Sequence, residues 1–152
     1  MRVCLQRVSE AWVSVLDPAA ERRETGRIGS GLLALAGFAP GDDRATLEWM
    51  SAKIADLRVF GSGEEGAFDR SLRETDGGLL VVSQFTLYAD ARKGRRPDFT
   101  SAAPYAVAAE RYREFCELCA LELPGRVETG EFGARMEVGL VNDGPVTLWL
   151  ER

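Results

Sequence analysis

Leu79-Leu80-Val81-Val82-Ser83-Gln84-Phe85-Thr86-Leu87-Tyr88 is the stretch whose reading decides the fold. Its apolar first half predicts a buried strand over Leu79 to Phe85, with polar groups where the strand ends. Gly31 to Phe38 is another continuous apolar run and reads as a further buried strand, closed by Ala39-Pro40-Gly41. Between the two, Asp42 or Asp43 can cap a helix. Leu47, Met50, Ile54 and Leu57 then recur on one face at helical spacing. Val59-Phe60 reads as a short strand and Gly61 to Gly66 as a loop.

Outward from this centre, Val3 to Val8 and Ala11 to Leu16 read as two strands joined by a tight turn near Ser9-Glu10. Asp17 to Thr25 is polar and charged, a loop or hairpin tip. Asp98 to Pro104 leads into a second helix ending near Leu123-Pro124-Gly125. Arg126 to Thr129, Met136 to Val141 and Val146 to Leu150 read as closing strands, the last two separated by a turn at Gly144-Pro145. No repeat or low-complexity linker interrupts the chain. One α/β domain over residues 1–152 is expected, with mixed β-sheets and two main helices. Two helices cannot cover both faces of every strand, so part of the sheet should pack on a second sheet or a second subunit.

The 152 residues are 45% hydrophobic and 28% charged, the balance of an ordinary globular domain. No apolar run approaches the ~20 residues of a membrane span, and the N-terminus reads as a strand without a secretory signal, so a cytoplasmic location is expected. Three cysteines do not suggest a disulfide framework. Cys116 and Cys119 fall in phase with Ala108, Tyr112 and Phe115 and read as core-facing thiols. With no histidine and no second cysteine pair, no zinc site is expected. The absence of histidine also removes Ser-His-Asp and Cys-His systems and the commonest general base near neutral pH. Hydrolysis by this chain must use a carboxylate, a metal, backbone dipoles or groups of the substrate.

A strand ending in Ser83-Gln84-Phe85-Thr86 presents side chains and free N–H groups at the end of a sheet, where ligands of α/β proteins often bind. The Phe85 and Thr86 amides can face a developing oxyanion. The same pattern also fits a strand edge whose Ser and Thr bond locally to backbone. Gly144-Pro145 can aim carbonyl oxygens rigidly into a pocket, or simply turn the chain between antiparallel strands. Arg92-Lys93-Gly94-Arg95-Arg96 concentrates four cations just after the first motif, in a chain of net charge -5. It fits a solvated loop or a phosphate contact.

Taken together, Ser83-Gln84-Phe85-Thr86-Leu87-Tyr88 and Val141-Asn142-Asp143-Gly144-Pro145-Val146-Thr147 resemble the two signature motifs of the D-aminoacyl-tRNA deacylases. The likeness is collinear over nearly the whole chain. It includes Gln6-Arg7-Val8, Gly31-Leu32-Leu33, Gly41-Asp42-Asp43, Leu57-Arg58-Val59-Phe60, Arg92 to Pro97, Val127 to Gly130 and Phe132-Gly133-Ala134. Asp17 to Thr25 is longer and more charged than is usual in the family, and Trp12 stands where a smaller residue is common; neither touches a motif.

The resemblance implies a homodimer with its active site at the subunit interface. It implies hydrolysis of the ester joining a D-amino acid to tRNA, and of glycyl-tRNA mischarged on tRNA-Ala. Ser83, Gln84, Phe85, Thr86 and Leu87 would form the catalytic-side motif. Gly144 and Pro145 would form a Gly-cis-Pro selectivity motif lent by the neighbouring subunit, and Arg7 would hold that motif in place. Arg92, Lys93, Arg95 and Arg96 would face tRNA. No cofactor, membrane or DNA partner is implied. Two other readings are a sister group that removes L-alanine from the wrong tRNA, and a noncatalytic RNA-binding or dimer-forming module.

Overall fold

A computed structural model describes residues 1–17, 21–61 and 68–152. Residues 18–20 of the Asp17 to Thr25 segment, and all of the expected Gly61 to Gly66 loop except Gly61, lie outside the described residues.

The apolar runs become the centre of the sheet. β3 (Gly31–Gly37) and β6 (Gly78–Ser83) run parallel, pairing Leu33 with Leu80 and Leu35 with Val82. β7 (Val127–Thr129) adds in parallel to β6. β1 (Arg2–Val15) lies antiparallel on the other side of β3. Because side chains alternate along a strand, Leu32, Ala34 and Ala36 of β3 enter one core with Leu79 and Val81 of β6. Leu33, Leu80 and Val82 enter the other.

Two helices cover the first core. α1 (Arg44–Asp56) starts at Asp43, whose carboxylate accepts from the Thr46 amide at 2.9 Å. Asp42 turns inward instead and meets the Met1 ammonium at 2.6 Å. Leu47, Met50 and Ile54 are buried on one face of α1, and Leu57 caps its end, half-buried. α2 (Tyr105–Glu122) buries Ala108, Tyr112, Phe115 and Cys119, with Phe115 edge-on to Phe38 at 6.2 Å between ring centres. A side chain the size of Phe115, fully buried, contributes roughly 1.5–3 kcal/mol. β4 (Arg58–Phe60) and β5 (Arg70–Ser71) form a small separate antiparallel sheet.

The second core is closed by the sheet itself. β2 (Arg23–Ile28) pairs with the second half of β1 and crosses the β6–β7 face. A Cβ on Gly26 would stand 3.1 Å from Leu80 Cδ1 and 3.1 Å from the Thr129 carbonyl oxygen. Met136, Val138 and Leu140 of β8 (Met136–Glu151) complete this layer.

Three boundaries differ from the sequence reading. Ser9-Glu10 is not a turn; β1 is one strand of 14 residues. Residues 2–8 pair with β3 and 11–15 with β2, so the polar pair marks where β1 passes from one neighbour to the next. Gly144-Pro145 is likewise no hairpin turn, because β8 continues along β1 on both sides of it. Asn142 lies opposite Val8 and Thr147 opposite Gln6, so residues 143–146 loop out of the ladder across from Arg7. Finally, β6 ends at Ser83, and Phe85–Tyr88 form a 3₁₀ helix rather than the end of a strand.

Cys116 and Cys119 are core-facing thiols as expected. Burial pushes Cys116 up to about 12 and raises Cys119 as well.

Candidate active site

The first motif lies where the parallel strands stop. Gln84 leaves β6 by donating its amide to the Ala36 carbonyl at 2.7 Å, which ties the start of the 3₁₀ helix to the end of β3. The helix then lies on Gly37. A Cβ there would stand 2.9 Å from the Gln84 carbonyl oxygen and 3.3 Å from both Leu87 Cβ and Tyr88 Cδ2. Glycine is required at this position because backbone occupies the side chain's space. Phe85 and Thr86 are the first two residues of the helix, where no preceding turn supplies acceptors for their amides. Leu87 donates its amide to the Gln84 carbonyl at 3.3 Å, and Ala89 to that of Thr86 at 3.0 Å.

The side chains divide between anchoring and exposure. Gln84 Nε2 donates to Thr86 Oγ1. Phe85 is 57% exposed and meets Phe99 edge-on at 5.2 Å between ring centres. A cavity of about 680 Å³ opens beside them, lined by Ser83, Gln84, Phe85, Phe99, Tyr105, Phe132 and Met136 among others. Its walls are mainly aromatic and apolar, with the motif's polar groups along one side.

The second motif is built differently. Gly144 and Pro145 are exposed, and the peptide bond between them is cis. Val146 behind them is buried and packs into the helix-covered core. Asn142 Oδ1 accepts from Gln6 Nε2 at 3.1 Å and from Thr147 Oγ1 at 3.2 Å, closing the neck of the loop. Arg7 lies beneath. Its Nη2 donates to the Gly144 carbonyl at 3.3 Å and its Nη1 to the Val59 carbonyl. Its Nε lies 2.8 Å from the Asp143 carboxylate, close enough for charge attraction but outside hydrogen-bond geometry.

The structure brings Ser83, Gln84, Phe85, Thr86 and Leu87 together, and brings Arg7 to Gly144. It does not bring Gly144 or Pro145 into the lining of the motif's cavity within one protomer. A hollow of about 740 Å³ lies near Arg7 and Asp143, but its cations are already committed. Arg126 Nη1 donates to the carbonyls of Leu72, Gly77 and Thr75, and Arg27 clasps Glu24 at 2.8 and 3.0 Å.

The basic run forms a loop closed at its neck by paired backbone bonds between Asp90 and Asp98, at 2.7 and 2.9 Å. Gly94 turns it with φ +72°. Arg92 is spent on Asp90, at 2.6 and 2.9 Å, and holds that carboxyl well below its ordinary range. Lys93, Arg95 and Arg96 are exposed and, among the described residues, pair with no carboxylate. Sequence reasoning missed Gly37, Phe99 and the clamp at Asn142. Only Asn142, five residues before Thr147 and flanking Gly-Pro, carried a local signal.

Comparison with known proteins places the chain in a family. The family described as D-Tyr-tRNA(Tyr) deacylase matches residues 4–151. A D-aminoacyl-tRNA deacylase of Thermomicrobium roseum is 55% identical over 152 residues, 99% of this chain and 94% of that protein. One from Stenotrophomonas maltophilia is 53% identical over 150 residues, 99% of each chain. Among solved structures, the c-Myc DNA Unwinding Element Binding Protein superposes with a TM-score of 0.89 at 37% identity, covering 100% of this chain and 99% of that one. A probable eukaryotic D-amino acid tRNA deacylase shares the fold, with a TM-score of 0.79 at 20% identity over 98% and 97% of the two chains. With a family match from end to end and such close relatives over its full length, the chain belongs to the D-Tyr-tRNA(Tyr) deacylase family, a family of hydrolases.

Proposed function

We propose that the protein hydrolyses the ester of D-aminoacyl-tRNA, and of glycyl-tRNA, at a site completed by two copies of the chain. The observation that carries the two-copy reading is the placement of the motifs. The Gly144-Pro145 corner stands in solvent, yet it is braced by Arg7, Asn142 and Val146. A rigid, exposed corner with no pocket of its own suits insertion into the open cavity beside Ser83–Thr86 of a second copy.

In this reading water attacks the ester carbonyl carbon, the carbonyl oxygen takes up negative charge, and the ribose oxygen leaves with a proton. The Phe85 and Thr86 amides face the oxyanion. This reading does not use Thr86 as the nucleophile, since its hydroxyl accepts from the Gln84 amide, which is no base; full activity of Thr86→Ala would exclude that role, and a trapped acyl-enzyme would establish it. The vicinal ribose hydroxyl of the terminal adenosine positions the water instead. Carbonyls of the Gly144-Pro145 corner hold the substrate's amino group and leave no space on the L side of Cα. A D side chain points away, and glycine has none to clash. Exclusion of this kind discriminates more sharply than a missing contact does. Lys93, Arg95 and Arg96 meet tRNA phosphate, while Arg92 serves the loop's own fold.

Matched D- and L-tyrosyl-tRNA test the reading. Purified protein should release D-tyrosine and glycine from their tRNA esters and leave L-tyrosyl-tRNA intact. Preference for L-alanyl-tRNA would instead assign the chain to the sister activity. Binding without release would make it a noncatalytic module.

A further inference from the structure

Arg2 belongs to neither motif, yet the ladder sets it beside the first. On adjacent strands Glu151, Arg2 and Gly37 are directly opposite one another. Residues paired in this way project from the same face of a sheet. That face carries the 3₁₀ helix, because the missing Cβ of Gly37 is the space the helix occupies. The row is therefore an empty seat, a cation beside it and a carboxylate behind the cation.

The contacts follow the row. Arg2 Nη1 donates to the Leu87 carbonyl at 3.1 Å, near the C-terminal end of the 3₁₀ helix, where carbonyls lack partners within the helix. Arg2 Nε donates to Glu151 Oε1 at 2.9 Å, and Glu151 Oε2 accepts from Trp149 Nε1 at 3.3 Å. The guanidinium carbon stands 4.4 Å above the centre of the buried Tyr88 ring and 5.9 Å from that of Trp149. Arg2 is thus held from three sides and spends one donor on the helix that carries Phe85 and Thr86.

We infer that Arg2, fixed by Glu151, is a positioning residue that sets the angle at which the 3₁₀ helix presents the Phe85 and Thr86 amides to substrate. This inference rests on the catalytic reading of that helix. A four-residue helix has almost no stability of its own, so its orientation depends on its seat and its ends. The start is fixed by the Gln84–Ala36 bond and the underside by Gly37; Arg2 fixes the end.

The test compares wild type with Arg2→Met, Arg2→Lys and Glu151→Gln, using two readouts. The first is amide hydrogen exchange at Leu87 and Ala89, with Val3 to Leu5 as the internal reference. The second is kcat and KM for D-tyrosyl-tRNA. Arg2→Met should speed exchange at Leu87 and Ala89 and lower kcat by about 10-fold with KM little changed, since a small misplacement of transition-state donors acts on kcat. Arg2→Lys should recover only part of kcat, because lysine cannot hold carbonyl, carboxylate and ring together. Unchanged exchange at Leu87 and Ala89 would overturn the positioning role. Faster exchange with unchanged kcat would show that Arg2 seats the helix but that the helix is not catalytic, so the underlying reading would fail. Should Arg2→Met not fold, Glu151→Gln carries the same comparison with Arg2 still present, and the same two results decide it.

Discussion

Ser83 to Leu87 sits in a hollow of its own protomer, with the bare Cα of Gly37 beneath it and a cavity of about 680 Å³ at its side. Asp143 to Pro145 is the reverse: it stands out from β8 into solvent, held only at its base by Arg7, Asn142 and the buried Val146. One region is a cavity with free donors and no wall on its open side. The other is a braced wall whose Gly144 and Pro145 line neither this cavity nor the hollow at Arg7 and Asp143. The difference teaches that enclosure and bracing are separated within one protomer: the cavity lies where β3 and β6 end, and the braced corner bulges from the middle of the β1–β8 ladder.

The sharpest way to break the comparison is at the donors. Phe85→Pro removes one amide at the first helical position, where proline's φ is tolerated and Gln84, at ψ 83°, is not helical. Compared with Phe85→Ala, which keeps the amide, it should lose about 10²–10³ in kcat, the usual loss for one oxyanion donor. Equal rates for the two variants would remove the Phe85 amide from the mechanism.

Arg7→Met attacks the wall instead. It leaves the Gly144 and Val59 carbonyls without their donor and Asp143 without its counter-charge. Loss of such bonds should cost about 1–3 kcal/mol of stability. Hydrolysis of L-tyrosyl-tRNA relative to D should rise by about 10-fold, the discrimination that one loosened steric contact supplies. Preserved selectivity would show that the corner holds its shape without Arg7.

The smallest effect should come from beneath both regions. Tyr112 directs its hydroxyl toward the Val81 carbonyl at 2.9 Å and the Gly130 carbonyl at 3.2 Å. Tyr112→Phe should lower stability by about 1–2 kcal/mol and leave kcat unchanged. Burial raises the pKa of Tyr112 and of the Cys116 and Cys119 thiols, so the folded state favours their protonated forms. Their contribution to stability is fully present below the unfolded pKa values, about 8.5 for a thiol and 10 for a tyrosine. It is lost as pH rises through the folded values, about 12 for Cys116. Thermal melts should therefore fall progressively above about pH 9, and the buried Cys119 should not react with a disulfide reagent at pH 8 until the protein unfolds. Rapid labelling of Cys119 in the native state would contradict its burial.

Much of this architecture could be read from the chain because the signals were strong and local. Continuous apolar runs at Gly31 and Leu79 became the central strands, and the helical spacing from Leu47 to Ile54 became a buried face. Two of the three failures share one cause. Ser9-Glu10 and Asn142 to Pro145 both carry turn chemistry; the first reads as a tight turn, and the second fits a turn as well as a rigid corner. They lie across from each other on paired strands, where β1 changes neighbours and β8 bulges out. Polar residues in a strand mark a break in pairing, and a single sequence does not reveal whether the chain reverses there or continues. The motifs of the candidate site were legible as motifs. Their supports were not, because Gly37 beneath the 3₁₀ helix and Arg2 at its end act through contacts between distant parts of the chain.

The most direct test of the two-copy site mixes two damaged proteins. Phe85→Pro spoils the donors and leaves the corner intact; a Gly144→Ala, Pro145→Ala double variant does the opposite. Each alone should hydrolyse D-tyrosyl-tRNA poorly. Unfolded together and refolded, they should regain about a quarter of wild-type D-specific activity, because half of random pairs are mixed and each mixed pair holds one intact site of two. A refolded mixture no more active than the sum of its separate components would contradict the account.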